Sequence, residues 1–473
     1  MTVVRVVVIG AALVAVGYFP ARLVTGSRVW CLLVAPVTAA LLAGSVATIG
    51  VLLRLPAAFT ALGTVAASAV AGVVVLRRTA RERAGAEYES SLPLLLPIAG
   101  LFPFVTVRRA PFEWDARSIW WLHARWFTDG GAAVWDGMQN PAFAFSHPDY
   151  PPLAPATNGV LWWFGGTASS QQAQAATAIL TLSAVAVLGF AVWHAVRRLV
   201  PGWVAIAGAG VLVLAAYGVA GVGRSTQASG TNGYVDLLWS AAFAAGCVFV
   251  LAARRDPTAL RWGALCLAVA GLTKNEGLVA VVLVVALALV RYRCRRPAPA
   301  WLAGALAPGL AWLVVTRLAG AHSEYLGNSK ATDLLQLDSG VVHRVSPTVD
   351  AVWHEMAEIV LVAAAVTVVG LLIATSARRR ISGTACPWMW LAWLTTTASL
   401  VYAYVVSPAP LEWHLMTSAD RTTIAPRLIL LAESLVWGCA AVAALRQDTG
   451  RARPTVTPWS ARASSSRSPE LSP

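Results

Sequence analysis

Charged side chains are scarce in this sequence. Asp, Glu, Lys and Arg make up only 12% of its 473 residues, whereas 58% are hydrophobic. A soluble domain of this length would need far more charge to cover its surface, so the composition excludes a soluble globular protein. Apolar stretches near the ~20 residues that a helix needs to cross a bilayer recur along the chain. The sequence therefore predicts an all-α polytopic membrane protein.

Several signatures of other protein classes are missing. The six cysteines form no CxxC pair, which argues against a disulfide framework and against a thiolate metal site. No GxxxxGK[ST] motif occurs, so no nucleotide is expected as a cofactor. Lysine is nearly absent, with only Lys274 and Lys330 present. The bias toward arginine, alanine and valine indicates a bacterial origin.

The apolar stretches define the predicted topology. We predict about 13 transmembrane helices, at residues 3–20, 29–53, 56–76, 91–107, 172–193, 201–222, 234–253, 258–272, 276–292, 299–318, 352–375, 386–407 and 423–445. Long loops at 108–171 and 319–351 interrupt the series. Residues 1–445 thus form a single transmembrane domain, and the Arg/Ser/Pro-rich residues 446–473 are predicted to be a disordered cytoplasmic tail.

Basic residues give the predicted orientation. The net charge of +14 would suit a nucleic acid, but the arginines lie in short clusters between apolar segments, as topology signals do. Alternating the spans places five clusters on one side, at residues 77–83, 197–198, 254–261, 291–296 and 378–380. The positive-inside rule makes that side cytoplasmic. We therefore expect a multi-pass protein of the bacterial cytoplasmic (inner) membrane with no nucleic-acid partner.

The first large outer loop carries PFEWDARSIWWLHARWF at 111–127, with Glu113 and Asp115 just past a predicted span. The segment is compatible with a helix lying in the outer membrane interface, where tryptophan concentrates. Its four tryptophans are Trp114, Trp120, Trp121 and Trp126. A simpler interpretation is that Asp115 only caps this helix and the tryptophans only anchor it.

A proline-rich segment, HPDYPPLAP, follows from His147 to Pro155. Its prolines hold the backbone extended and return the chain to the membrane. His147 and Asp149 are thereby kept near the interface, where they could point into a cavity. A turn-forming role alone is the alternative.

Two motifs place charge inside or between predicted helices. GTNGYVDLLWS at 230–240 puts Asp236 one turn inside an apolar helix, and an intramembrane carboxylate usually faces a cavity or a partner. GLTKNEGL at 271–278 joins two helices and holds Lys274 and Glu276. These two side chains could neutralise each other, or Lys274 could bind a phosphate.

The last polar cluster is LEWHLMTSADRTTIAPRLI at 411–429. It places His414, Asp420 and Arg421 at the predicted outer mouth of the final helix. An arginine at a helix start opposes the helix dipole unless it binds an anion, which favours Arg421 as an anion ligand. A local salt bridge between Arg421 and Asp420 is the alternative.

These motifs, in this order, resemble the membrane-embedded C-type glycosyltransferases (the GT-C superfamily). They resemble in particular the bacterial relatives of the protein mannosyltransferase and aminoarabinose transferase group. The resemblance rests on EWDARSIWWLHAR, HPDYPPL, GYVDL, TKNEG and WHLMTSADR within about residues 100–430. The chain departs from well-studied subgroups by placing about four spans before the first motif and by lacking a large C-terminal soluble domain.

The resemblance implies a polyprenyl-phosphate sugar as donor and transfer to a glycan, lipid or protein acceptor outside the cytoplasmic membrane. It also implies that Asp115 is the catalytic base. Lys274 and Arg421, favoured above as anion ligands, are then expected to bind the donor phosphate. Many relatives bind a divalent cation such as Mg²⁺ or Mn²⁺. The supporting or metal-ligating candidates here are Glu113, His147, Asp149, Asp236, Glu276, His414 and Asp420.

Two other classes of function fit a polytopic chain with buried carboxylates. A secondary transporter or lipid flippase would normally carry repeats or broken helices near the bilayer midplane, whereas the polar motifs here collect at one membrane face. A non-catalytic membrane protein of envelope assembly is the third interpretation. The polar residues at one face favour the glycosyltransferase.

Overall fold

A computed structural model describes residues 3–81, 90–101, 113–221, 230–252, 256–295, 297–323, 336, 339–376 and 385–451. These residues are mainly helical, and no strand occurs among them. The helices of the first half are α1 (Val3–Thr25), α2 (Cys31–Leu52), α3 (Ala57–Arg81), α4 (Leu96–Ala99), α5 (Leu122–Asp129), α6 (Gly131–Gln139), α7 (Leu153–Gly165), α8 (Ser170–Val196) and α9 (Gly202–Val219).

The helices of the second half are α10 (Asp236–Cys247), α11 (Pro257–Thr273), α12 (Asn275–Tyr292), α13 (Ala298–Ala319), α14 (Ser339–Val342), α15 (Val345–Ser376), α16 (Ala385–Val406), α17 (Leu411–Thr422) and α18 (Ile424–Arg451). Short 3₁₀ segments cover Leu92–Leu95 and Pro141–Ser146, and π-helical segments cover Ala116–Trp121 and Val248–Ala252.

Ten helical stretches of the described chain are long and apolar enough to cross a membrane, so the protein is a multi-pass membrane protein. They are Val3–Thr25, Cys31–Leu52, Ala57–Arg78, Ser170–Val196, Gly202–Val219, Asn275–Tyr292, Ala298–Ala319, Ser339–Ile373, Cys386–Val406 and Leu411–Arg446. The predicted spans at 234–253 and 258–272 are also helical, as Asp236–Ala252 and Pro257–Thr273. Both are shorter than the ten stretches above.

The count of about 13 spans stays a prediction. In the region 91–107, residues 92–99 form only short turns of helix and residues 102–112 lie outside the described residues. Other boundaries differ from the prediction. The loop predicted at 319–351 already contains α14 and the start of α15. The final helix continues to Arg451, past the predicted start of the tail, and residues 452–473 lie outside the described part.

The centre of the bundle is formed by α8 and α10. All the side chains of α10 are buried, as are most of those of α8. A helix that is apolar on every side is stable only when other helices surround it. Small residues permit the close packing around this centre. For example, a side chain at Gly17 of α1 would collide with the Ala35 carbonyl of α2, so these two helices approach at backbone distance.

The loop 108–171 folds into the short helices α5, α6 and α7. Of its predicted interface tryptophans, Trp120, Trp121 and Trp126 are buried in the protein core, and only Trp114 is exposed. The tryptophan signal therefore reflects packing inside the protein at three of the four positions. The helix predicted here begins with a π-helical turn, a feature frequently found at functional sites.

Candidate functional site

A polar cavity of about 520 Å³ lies where the loop 108–171 meets the ends of α10, α12, α16 and α17. Six of the predicted site residues line it, namely Asp115, His147, Lys274, Glu276, His414 and Arg421. Its remaining wall is largely aromatic, with Trp114, Trp120, Phe145, Tyr150, Tyr234, Tyr404 and Trp413. Residues from five distant sequence motifs thus converge on one cavity.

Arg421 connects segments that are far apart in the sequence. Its Nη1 lies 2.6 Å from Oδ2 of Asp115 and 3.6 Å from Oδ2 of Asp236. Its guanidinium also lies over the Tyr234 ring at 4.8 Å, and Nη2 donates to the Thr417 carbonyl. Both carboxylate partners come from other motifs, so Arg421 holds three segments of the site together.

The position predicted for Arg421 at the start of the final helix is wrong. The helix is interrupted at Thr423. Arg421 therefore lies in the last turn of α17, a separate helix before α18. A basic residue in a last turn complements the helix dipole, so the argument that Arg421 opposes the dipole does not hold. Its carboxylate partners are Asp115 and Asp236. Asp420 contributes its backbone carbonyl, which accepts a hydrogen bond from Arg427.

Lys274 forms a second ion-paired centre. Its Nζ donates to Oδ1 of Asp236 at 2.9 Å and lies 3.3 Å from Oε1 of Glu276. The Asp236 side chain is only 5% exposed and that of Lys274 only 10%. Asp236 thus lies behind the cavity wall and bridges the two cations. The predicted Lys274–Glu276 contact is present, but the shortest contact of Lys274 is with Asp236.

Local backbone geometry explains why Lys274 and Asp115 face the cavity. Lys274 has an extended backbone conformation between α11 and α12, so it belongs to neither helix. Asp115 precedes the π-helical turn, and its side chain makes no capping hydrogen bond. The interpretation of Asp115 as only a cap is therefore wrong, because its carboxylate is bound by Arg421.

The segment His147–Pro152 forms one wall of the cavity. His147 adopts a left-handed conformation, with φ of 52°, and its ring stacks on Tyr150 at 4.8 Å. Asp149 points away from the cavity, where it accepts a hydrogen bond from Asn275 at 3.0 Å, and burial raises the pKa of its carboxyl. The Asp149 carbonyl accepts from the Trp312 indole. Hydrogen bonds from α12 and α13 therefore hold this segment in place, so it does more than form a turn.

Glu113 and Asp420 are not among the residues that line the cavity. Glu113 lies near enough to Asp115 and Arg421 to interact with their charges, and partial burial raises the pKa of its carboxyl. Of the ten predicted residues, six therefore line the cavity, Asp236 supports it from behind, and Glu113, Asp149 and Asp420 lie around it.

Five aromatic residues of the wall were missed by the sequence prediction, namely Phe145, Tyr150, Tyr234, Tyr404 and Trp413, although Tyr150, Tyr234 and Trp413 lie inside quoted motifs. Tyr404 has no sequence signal, since it lies in an apolar helix. Its hydroxyl is within 2.8 Å of Ser418 Oγ and of Thr422 Oγ1, so it fixes α17 against α16. Tyr404 also packs edge-on against the His414 ring at 4.7 Å.

Arg344 holds the end of α16 in place beside the cavity. Its buried Nη2 donates to the carbonyls of Tyr404, Ser407 and Ala409 at 3.1, 3.1 and 3.2 Å. These carbonyls lie at a helix C-terminus, where a cation is favourable. Arg344 therefore positions the connection that leads into α17.

The proposed divalent cation does not fit the candidate ligands. Over the described parts of the chain, no group of three or more His, Cys, Asp or Glu side chains is arranged to hold a metal. Asp236 is occupied by two cations, and Asp149 is bound to Asn275 and faces away from His414. We therefore derive no catalytic step through a metal.

An apolar chamber of about 300 Å³ adjoins the polar cavity. Both spaces are lined by Glu276, Leu400, Ala403 and Thr422. The chamber continues between α12, α13 and α16, where it is lined by apolar residues such as Leu278 and Leu313. A molecule with a polar head and an apolar tail can occupy both spaces at once.

His123 supports the cavity wall from behind and makes the fold sensitive to acid. It is buried, stacks on Trp126, and lies 3.2 Å from Ser146 Oγ, next to His147. Burial lowers the pKa of His123 from 6.5 to about 3. Between these two values the unfolded chain binds a proton that the folded chain does not, so acidification favours unfolding.

We expect the thermal midpoint of the wild type to fall between about pH 7.5 and about pH 5, and we expect a smaller fall in His123→Phe. The midpoint of each protein at the two pH values is the measurement. His354→Phe, at an exposed position, is the matched control and is expected to behave as the wild type. An unchanged fall in His123→Phe would contradict the assignment.

Comparison with known proteins adds no relative: no protein-family model, no curated protein and no solved structure matches the chain.

Proposed function

We propose that this protein is a membrane glycosyltransferase that uses a polyprenyl-phosphate sugar as donor. The observation that carries the proposal is the pair of neighbouring spaces, a polar aromatic cavity and an apolar chamber that share part of their wall. A polyprenyl-phosphate sugar has the same division into a polar head and an apolar tail. The acceptor is a glycan, a lipid or a protein.

The chemistry of the cavity wall supports a sugar in the polar part. Aromatic rings have a negative face, which attracts the polarised C–H groups of a sugar ring. Carboxylates and hydroxyls such as Glu276, Thr417 and Ser418 can bond to sugar hydroxyls. The cations Lys274 and Arg421 would neutralise the donor phosphate. The ligand class follows from these groups and from the resemblance of the motifs.

The proposed reaction assigns a role to each charged group. The acceptor hydroxyl attacks the anomeric carbon while the bond from that carbon to the phosphate oxygen breaks. The electron pair leaves with the polyprenyl phosphate, and Asp115 takes the proton of the acceptor hydroxyl. Lys274 and Arg421 stabilise the charge that develops on the phosphate. The transition state has oxocarbenium character, as in other glycosyl transfers.

The ion pair between Arg421 and Asp115 suggests how these roles are coupled. Arg421 is bound to Asp115, so the carboxylate that would take the proton is held by a guanidinium. A donor phosphate would compete with Asp115 for the guanidinium and release the carboxylate. We propose that the site lies on the extracytoplasmic side of the bacterial inner membrane, because Lys274 lies at the start of α12 and the arginines Arg291 and Arg293 lie at its other end.

The experiment that tests the function is transfer by the purified protein in lipid nanodiscs. A panel of polyprenyl-phosphate sugars is supplied with glycan, lipid and peptide acceptors, and both the released polyprenyl phosphate and the glycosylated product are measured. Turnover of one donor is the expected result. Folded protein that turns over no donor would contradict the proposal, and donor movement across a liposome membrane without chemistry would instead support a flippase.

A further inference from the structure

A separate apolar groove of about 280 Å³ lies between α1, α2, α11 and α13. Pro20 and Pro308 lie along it, and neither they nor any other residue of its wall lines the polar cavity or its chamber. The groove is therefore not part of the proposed catalytic site. Any function assigned to it is independent of the glycosyltransferase proposal.

The wall of this groove has few polar groups, namely two hydroxyls and the indole N–H of Trp301. Its two hydroxyls belong to Thr38 and Ser45, and each donates to a carbonyl of its own helix, those of Val34 at 2.8 Å and Leu41 at 2.7 Å. The other residues of the wall are apolar. A ligand of the groove must therefore be a hydrocarbon over this length.

A partly exposed cation, Arg261, lies at one end of the groove. The Arg261 guanidinium lies over the ring of Trp301, a groove residue, at 5.5 Å. Its Nε is buried without a hydrogen-bond partner, and Arg261 forms no ion pair with any described residue. Buried donors normally have a partner, so this guanidinium indicates an anionic ligand.

We propose that the groove binds one acyl chain of an anionic membrane phospholipid whose phosphate is held by Arg261. A planar guanidinium binds a phosphate through two parallel hydrogen bonds. We expect it to bind an anionic headgroup more tightly than a zwitterionic one. The volume of about 280 Å³ lies just below the roughly 300–1,000 Å³ of small-molecule sites, so the groove holds at most a single chain.

Two substitutions test the two halves of this site. Gly304 lines the groove, and a Cβ added there meets no atom within 4 Å, so we expect the backbone to tolerate Gly304→Leu and its side chain to occupy the groove. Gly210 of α9 is equally open and lies away from the groove, so Gly210→Leu is its control. Arg261→Gln removes the cation, and Arg198→Gln removes an exposed arginine as its control.

The measurement is the thermal midpoint of the full-length protein in detergent, titrated with phosphatidylglycerol or phosphatidylcholine. We expect phosphatidylglycerol to raise the wild-type midpoint more than phosphatidylcholine. Arg261→Gln should need about fivefold more phosphatidylglycerol for half of the effect, since one basic residue contributes about 1 kcal/mol. Gly304→Leu should lose the stabilisation by lipid, and both controls should retain it.

Three outcomes would overturn the proposal: equal stabilisation of the wild type by the two lipids, an unchanged phosphatidylglycerol requirement in Arg261→Gln, or a full lipid effect in Gly304→Leu. Native mass spectrometry of the same proteins gives a second readout. It should detect phosphatidylglycerol that remains bound to the wild type and to Gly210→Leu but not to Gly304→Leu. This second readout does not depend on the thermal stability of the variant.

Discussion

Asp115→Asn is expected to reduce sugar transfer by about 10²–10⁴-fold, the usual contribution of a general base. The amide has the same shape as the carboxylate but accepts no proton at neutral pH. Arg421 keeps its contacts with Asp236 and with the Thr417 carbonyl in this variant. We therefore expect the protein to remain folded, with a loss in kcat rather than in donor binding.

The measurement is the transfer rate in nanodiscs, with the affinity for polyprenyl phosphate measured alongside. Asp136→Asn is the matched control, because Asp136 is an exposed aspartate of the same loop region and lies outside the cavity. Removal of the ion pair should leave polyprenyl-phosphate binding equal or tighter, since Arg421 loses a competing carboxylate. Normal turnover in a folded Asp115→Asn protein would refute the assignment of the base.

Lys274→Met is expected to lower the free energy of unfolding by about 3–5 kcal/mol, the cost of leaving a buried charge without its partner. In this variant Asp236 would keep only the longer contact with Arg421, and Glu276 would lose its cation. Removal of both charges avoids this cost. The double variant Asp236→Asn/Lys274→Met is therefore expected to recover much of the lost stability.

Chemical unfolding in detergent micelles measures this effect. Arg317→Gln is the control, because it removes an exposed cation near the apolar chamber and should change stability little. If Lys274→Met were as stable as the wild type, the Lys274–Asp236 pair would not hold the site together. A double variant no more stable than Lys274→Met would contradict the compensation between the two charges.

The membrane class and most of the helices could be predicted from the sequence. The transfer of apolar side chains out of water depends on composition, so twelve of the thirteen predicted spans overlap helices of 12 or more residues in the described chain. The region 91–107 has the weakest agreement, since it contains Pro93, Pro97 and Pro103 and its described part forms only short helical turns. Local sequence also identified the motifs that line the cavity.

The connections between those motifs could not be predicted. Asp115 and Arg421 are 306 residues apart, and Lys274 and Asp236 are 38 apart, so their pairing depends on how the helices pack. The break at Thr423 has a local cause, since Pro426 has no N–H to bond to the Thr422 carbonyl, and it moves Arg421 from the start of one helix to the end of another.

The sequence by itself thus determined the apolar segments that form membrane helices and the positions of the polar motifs between them. It determined these because hydropathy and backbone restrictions act over a few neighbouring residues. The tertiary structure alone decided that Arg421 binds Asp115, that Tyr404 and Trp413 line the cavity, and that an apolar chamber joins it. Such contacts arise between segments distant in sequence, and their geometry is fixed only when the helices pack together.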